Sequence, residues 1–116
     1  MAHEEKKDQT LWNLEKLKVM SRGNEAFVAK MLQIFKEQTS IRLIELKNAL
    51  AVGDFKLIGE IAHKMKPGLD SFCIDAVRES VRHLERNTEF SKEENEIQCQ
   101  YLIAVLHRVL SEMEKG

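Results

Sequence analysis

Proline and glycine are scarce in this chain, which has one proline and five glycines among 116 residues. So few turn-forming residues argue against a β-sandwich or β-barrel, because those folds need many tight turns. Leucine, lysine, glutamate, methionine and alanine are common instead, and these residues favour helices. No segment has the alternating pattern of a strand, so we expect an all-α fold.

Long apolar runs and a strong net charge are also missing. The longest aliphatic run, LIAVL, has five residues, whereas a membrane span needs about 20. A net charge of −1 creates no overall field that attracts nucleic acid or an anionic membrane. The first ten residues are polar, so we expect no secretory signal. Cys73 and Cys99 form no CxxC pair, which favours a reducing, cytoplasmic location.

Helical periodicity divides the chain into segments joined by short connections. The pattern predicts helices over residues 25–51 and 55–72, a fourth segment starting near Asp75 and a last helix from Ser91 to about residue 114. Asn24 and Asp54 are the expected N-caps of the first two, and Ser91 with Glu94 matches a capping box. Thr10 is expected to cap a short N-terminal helix that carries Leu11, Leu14 and Leu17.

Short connections between amphipathic helices predict antiparallel neighbours. We therefore expect an antiparallel up-down four-helix bundle with a short additional N-terminal helix, formed by residues 10–116 as one domain after a flexible tail over 1–9. Ile34 and Ile41 lie off the main apolar stripe of helix 25–51. We expect the N-terminal helix to cover them, and a partner is the alternative.

The central segment carries the candidate reactive residue, His63. The apolar positions of the segment share one helix face: Phe55, Ile58, Ile61, Ala62, Met65, Leu69 and Phe72. At ~100° per residue, His63 lies about 140° from the centre of this stripe and should face water. Gly59 and Pro67 lie one turn before and after it on the same face. Both disfavour a helix, so we interpret them as residues that keep the imidazole accessible. Pro67 also predicts a kink or a local helix end near residues 66–70.

The motifs of several enzyme classes are absent from the sequence. Neither GxSxG nor a nucleotide-binding glycine loop occurs, so the chain lacks what a kinase needs to bind ATP. A Cys73/His83/Cys99/His107 metal site has no recognised spacing, and both cysteines fit apolar stripes. We therefore expect neither a metal nor a cofactor of the protein's own.

A lone exposed histidine can still carry a phosphoryl group, because a neutral ring nitrogen is a nucleophile. Phosphoryl transfer needs mainly positioning and charge compensation. Lys66, one turn after His63, can supply a cation for phosphate oxygens, and Lys64 flanks the ring. The phosphoryl donor, Mg²⁺ and its carboxylate ligands would then belong to the partner.

The sequence AHKMK at residues 62–66 resembles the AHxLK core of histidine-containing phosphotransfer (HPt) domains, and Leu84-Glu85 is similar to the family's downstream segment. The order of helices from about residue 11 to 115 is similar as well. The resemblance implies a four-helix bundle whose histidine takes a phosphoryl group from an aspartate of a receiver domain and passes it to another receiver. Such phosphoproteins serve multistep phosphorelays of two-component signal transduction, between hybrid kinases and response regulators, and have no kinase activity of their own.

Three positions differ from the family pattern. Pro67 follows the lysine where the family usually has glycine, with Gly68 next, and Cys73 occupies the position of the second glycine. Asp70 stands where a small residue is common and shares the face of His63. Its carboxylate would repel a phosphoryl group, and it could also orient the ring or pair with Lys66.

Two other functions remain open from the sequence. Asp70 and the altered glycines motivate an adaptor that binds receivers without accepting phosphate, and the off-stripe isoleucines motivate a structural, oligomeric bundle. For the phosphocarrier we expect a monomer. We expect it to dock through the His63 face and residues of neighbouring helices: Ile34, Ile41, Lys56, Lys64 and Asp70.

Overall fold

The structure, a computed structural model, describes residues 11–115, and within this range it is helical without strands. The α-helices of the described range are α1 (Glu15–Met20), α2 (Glu25–Ala51), α3 (Phe55–Ser71), α4 (Arg78–Glu85) and α5 (Lys92–Lys115). Short 3₁₀ turns at Asp75–Val77 and Asn87–Glu89 flank α4. The predicted all-α class is therefore confirmed, whereas the predicted tail over 1–9 and the Thr10 cap lie outside the described residues.

Local side-chain hydrogen bonds start the long helices where the sequence predicts. The side chains of Asn24 and Asp54 each accept a 3.1 Å hydrogen bond from the backbone amide three residues ahead. At the start of α5, the Glu94 carboxylate accepts from the Ser91 amide at 2.8 Å, and the Ser91 hydroxyl accepts from the Glu94 amide at 3.1 Å. These caps satisfy amides that have no partner inside the helix.

One core holds the four helices α2 to α5 together. Helix α2 contacts α3 and α5, and α4 contacts the same two helices, so the contacts form a closed ring. The rings of Phe35 and Phe72 pack with their centroids 4.5 Å apart. The largest fully buried side chains of this core and its edges are Phe72, Leu17, Leu46, Ile58, Leu84, Leu102 and Leu106. Each contributes roughly 1.5–3 kcal/mol through its burial.

The N-terminal helix is shorter than predicted and starts at Glu15. The Asn13 amide donates to the Phe72 carbonyl at 3.0 Å, and the Asn13 side chain accepts from the Glu15 amide at 3.1 Å. These contacts pin the chain to the end of α3, so residues 11–14 are not helical. Helix α1 then lies beside the first turns of α2, and Ile34 and Ile41 remain 40% and 48% exposed. The expectation that the N-terminal helix covers them was wrong.

Helix α3 continues through Pro67 to Ser71, so of the kink or helix end expected near residues 66–70, the helix end does not occur. Proline removes one backbone donor, which weakens the helix at one point. Leu69 and Phe72, however, are buried in the core on the far side of the proline. Their burial keeps the last turn in place.

Helix α3 ends at Cys73 in a conformation that suits glycine. Cys73 has a φ of +56°, and the amide of Ile74 donates to the carbonyl of Leu69 at 2.9 Å. This is a Schellman-type helix end, whose left-handed residue is usually glycine because a Cβ is crowded there. The half-buried Cys73 is therefore part of the helix end and not of an apolar helix stripe, as was predicted. Helix α4 itself begins at Arg78.

Replacing this residue with glycine, Cys73→Gly, is expected to raise the free energy of unfolding by about 0.5–1 kcal/mol, because it relieves the left-handed strain. Urea unfolding followed by circular dichroism measures the change. Arg22→Gly is the matched control, since Arg22 also has a φ of +56° and is exposed. A loss of stability in Cys73→Gly alongside a gain in Arg22→Gly would show that the thiol's packing outweighs the strain.

Candidate functional site

The imidazole of His63 lies on the solvent side of α3, and its side chain is 71% exposed. The neighbouring residues Ile61, Ala62 and Met65 are buried in the core. Burial of this face fixes the rotation of the helix, because its other side must then face water. His63 is therefore held at the surface by a rigid element.

Glu85, the last residue of α4, contacts both His63 and Lys66. Its Oε2 atom lies 2.5 Å from Nδ1 of His63, and its Oε1 atom accepts from Nζ of Lys66 at 3.2 Å. An ionised carboxylate can only accept hydrogen bonds, so we assign the ring proton to Nδ1. In the neutral ring, Nε2 is then the nitrogen with a free lone pair. The contact thus leaves Nε2 as the ring nitrogen that is available to a reaction partner.

Glu85 keeps its charge although its side chain is only 20% exposed. Burial alone would raise its pKa, but the hydrogen bonds from His63 and Lys66 outweigh burial and lower the pKa below its ordinary value of 4.5. The carboxylate is therefore ionised at neutral pH. It can orient the ring and stabilise positive charge on it.

Acidification is expected to remove the stabilisation that Glu85 contributes. Because the pKa is lowered in the folded state, this stabilisation is fully present above the ordinary value of 4.5 and is lost as the pH falls through the folded pKa. Urea unfolding of the wild type and Glu85→Gln at about pH 6 and about pH 3 measures it. We expect the advantage of the wild type to shrink on acidification.

Glu79→Gln is the control for this experiment, because it removes an exposed surface ion pair with Arg82 on the same helix. Such pairs contribute little to stability. An advantage of wild type over Glu85→Gln that stays constant or grows on acidification would contradict the assigned contacts of Glu85.

Gly59 is buried, and its lack of a side chain has a packing reason. A Cβ at this position would lie 2.7 Å from the backbone oxygen of Leu84 and 2.8 Å from Nδ2 of Asn87. The glycine therefore lets the carboxyl end of α4 lie directly against α3, one turn before His63. This corrects its interpretation as a residue that keeps the imidazole accessible. The same close approach brings Glu85 beside the ring.

A shallow depression surrounds the imidazole. Its lining comprises Lys56, Gly59, Glu60, His63, Lys64, Glu85 and Asn87. Of the predicted binding residues, the structure thus places Lys56 and Lys64 next to His63. Both are exposed lysines, so this side of the ring is open to a partner and offers it two ammonium groups, beside the carboxylates of Glu60 and Glu85.

Asp70 lies apart from the imidazole contacts. Its Oδ1 atom is 3.9 Å from the guanidinium of Arg78, and its side chain is exposed. Glu85, rather than Asp70, contacts the ring and Lys66. The structure therefore does not show the ring-orienting or Lys66-pairing role that was considered for Asp70. The same guanidinium bonds to Asp75 at 2.5 Å, so Arg78 offsets only part of the negative charge of the two carboxylates.

A second groove runs between α2 and α3 on the other side of the His63 face. Ile34, Lys64 and Pro67 contribute to its lining together with Phe35, Gln38, Arg42 and Gly68. Gly68 allows close packing here, because a Cβ would meet the Phe35 ring at 3.3 Å. Ile41 is not among the lining residues and lies further along α2. The groove combines apolar surface with two cationic side chains.

The two cysteines and the histidines considered for a metal site do not come together. Within residues 11–115, no group of three or more metal-binding side chains is placed to hold an ion. Cys99 is buried, which raises the pKa of its thiol to about 11. The ring of His83 stacks on Phe90, with centroids 3.6 Å apart.

Among the helices of the described range, none is long and apolar enough to cross a membrane.

Glu85 is the site residue that sequence reasoning did not single out. It lies 22 positions from His63, so the contact exists only in the folded chain. One signal was available, because an acidic residue at the last position of a helix is disfavoured by the helix dipole. Such a residue needs another reason to be there, and the ion pair with Lys66 and the ring provides one.

In a comparison with protein-family models, the model described as Hpt domain matches residues 30–116. A comparison with curated proteins and one with solved structures found no match. The matched range begins within α2 and includes His63, Lys66 and Glu85. Since it covers most of the chain, this protein belongs to the Hpt domain family.

Proposed function

We propose that this protein is a histidine phosphocarrier of a multistep phosphorelay, in which His63 accepts a phosphoryl group from a receiver-domain aspartate and passes it to another receiver. Membership of the Hpt family implies histidine phosphotransfer in phosphorelays. The observation that supports His63 as the acceptor is its Nδ1 contact with Glu85 on an exposed ring. In this proposal helices α2 to α5 form the up-down four-helix bundle expected from the sequence. The protein acts in the cytoplasm.

The transfer step needs no proton movement within the site. The lone pair of Nε2 attacks the phosphorus of the aspartyl phosphate, and a nitrogen–phosphorus bond forms as the phosphorus–oxygen bond breaks. The receiver's aspartate leaves as a carboxylate. The proton on Nδ1 stays in place, so the ring becomes positively charged, and the Glu85 carboxylate at 2.5 Å stabilises this charge. The reverse steps deliver the group to the next receiver.

The lysines divide the charge compensation in this proposal. Lys66, about one helical turn after His63, shares the Glu85 carboxylate with the ring, so its ammonium group is held beside the imidazole. Lys64 and Lys56 line the surrounding depression and would attract the acidic face of a receiver. In this proposal Mg²⁺ and its carboxylate ligands come with the receiver.

The docking surface in this proposal is the groove between α2 and α3 next to His63. Ile34 and Pro67 supply its apolar part, and Lys64 lies between them and the imidazole. Ile41 extends the apolar surface along α2, while Asp70 with Arg78 forms a polar edge near α4. Apolar surface surrounded by charged side chains is typical of transient protein interfaces. The carrier itself is a monomer in this account.

The direct test is to mix the protein with receiver domains that carry a radiolabelled aspartyl phosphate. We expect the label to move to the carrier and to be stable in base but labile in acid. A binding-only adaptor would bind the receivers equally well as wild type and as His63→Ala, and would take up no label at any time. Tight self-association abolished by Ile34→Glu would instead support a structural bundle.

Lys66→Ala is expected to lower the transfer rate at saturating receiver about ten-fold, because it removes the ammonium group that shares the Glu85 carboxylate with the ring. Lys64→Ala is the comparison, and it should mainly raise the receiver concentration needed for half-maximal rate. The initial rate of label transfer, measured over a range of receiver concentrations, separates the two effects. If Lys66→Ala changed only the receiver dependence, its role would be docking.

A further inference from the structure

We propose that Asn95, on α5, is a positioning residue for the His63 imidazole, an inference that rests on the proposed phosphocarrier function. Asn95 is only 3% exposed, and its Nδ2 donates to the backbone oxygen of Asn87 at 3.0 Å. Among the described residues its Oδ1 has no hydrogen-bond partner. Burying an unpaired polar atom costs free energy, and asparagine disfavours helices. The presence of asparagine at this position of α5 therefore needs a reason.

The reason lies at the carboxyl end of α4. Asn87 uses its own side chain to donate to the backbone oxygen of Leu84 at 2.9 Å. This carbonyl is one of the terminal groups that lack a partner inside the helix. Two asparagine amides in series thus connect α5 to the last turn of α4, and Asn87 is the link between them.

Glu85 belongs to that last turn. The Leu84 carbonyl, which Asn87 holds, lies against Gly59 on α3, and the next residue places its carboxylate on His63 and Lys66. Helix ends fray, and a carboxylate at the carboxyl end is repelled by the helix dipole. The position of Glu85 therefore depends on what holds the turn. Asn95 and Asn87 hold it from one side, and Gly59 sets its distance from the other.

A buried bond between α4 and α5, at the other end of α4, serves as a matched control. The Ser80 hydroxyl donates to the side-chain oxygen of Gln98 at 2.7 Å, and Ser80 is as buried as Asn95. Ser80 lies in the first turn of α4, at the end opposite Glu85. Asn95→Ala and Ser80→Ala therefore each remove one buried side-chain bond of α5, the first to the 3₁₀ turn after α4 and the second to the first turn of α4, and only the first should affect His63.

The experiment compares these two variants by transfer rate from a labelled receiver and by nitrogen NMR of the His63 ring. We expect Asn95→Ala to slow transfer about five-fold, the order expected for one hydrogen bond, and to reduce the fraction of the Nδ1–H tautomer. Ser80→Ala should leave the transfer rate and the tautomer fraction within about two-fold of wild type. Both variants should unfold at a lower temperature than wild type. Asn87→Ala replaces Asn95→Ala if the latter does not fold.

A double mutant decides whether Asn95 acts through Glu85. In a Glu85→Ala background, Asn95→Ala should have no further effect on the transfer rate. An undiminished effect there, or equal effects of Asn95→Ala and Ser80→Ala on the tautomer, would overturn the proposal. The tautomer measurement needs no receiver. If no variant and no wild-type protein took up label, the phosphocarrier function would fail, and the tautomer would still test the positioning.

Discussion

His63→Gln is expected to abolish the acid-labile label that the wild type takes up from a phosphorylated receiver. Glutamine keeps a polar side chain of similar reach but has no nucleophilic ring nitrogen. The side chain is 71% exposed, so its replacement leaves the core intact and circular dichroism should be unchanged. Labelling of both proteins by the same receiver, followed by acid treatment, measures the loss.

His107→Gln is the control for this variant, because His107 is an exposed histidine on α5. It should take up label at the wild-type rate. Label that persists in His63→Gln, or that disappears in His107→Gln, would show that another residue accepts the phosphoryl group.

Gly59→Ala is expected to lower the free energy of unfolding by about 1–3 kcal/mol, the usual effect of forcing an extra group into a packed site. The new Cβ would lie 2.7 Å from the Leu84 carbonyl, which is backbone and moves only with the end of α4. Displacing this turn should also move Glu85 away from His63 and slow transfer. Urea unfolding and the labelling assay measure the two effects.

The opposite sign is expected if Gly59 serves only to expose the imidazole. In an exposed helix, alanine stabilises by about 0.5–1 kcal/mol relative to glycine. Gly68→Ala is the comparison, because its Cβ would meet side-chain atoms of the Phe35 ring at 3.3 Å and no backbone atom of another helix. We expect its effect on stability to be smaller than that of Gly59→Ala. A gain in stability from Gly59→Ala would instead support the interpretation that Gly59 keeps the imidazole accessible.

Features that depend on neighbouring residues were predictable from the sequence. The bounds of α2 follow from the Asn24 cap and a long apolar stripe, and the start of α5 follows from Ser91 and Glu94. The outward position of His63 follows from the helical period of α3. Each of these depends on contacts within about one turn, and a single sequence contains that information.

Features that depend on contacts between distant segments were not predictable. Helix α1 begins late because Asn13 bonds to the carbonyl of Phe72, and α3 passes Pro67 because the residues beyond it are buried. Gly59 was correctly singled out as costly in a helix, but its reason is the Leu84 carbonyl on another helix. An acidic contact with the ring or with Lys66 was considered only for Asp70 on the same helix, whereas the fold supplies Glu85.

The most direct test of this account is the position of the phosphoryl group on the ring, measured by nitrogen and phosphorus NMR after labelling by a receiver. The contact between Nδ1 and Glu85 predicts that the group is bound to Nε2 of His63, with the proton retained on Nδ1. A phosphoryl group on Nδ1, or on any other residue, would contradict the account.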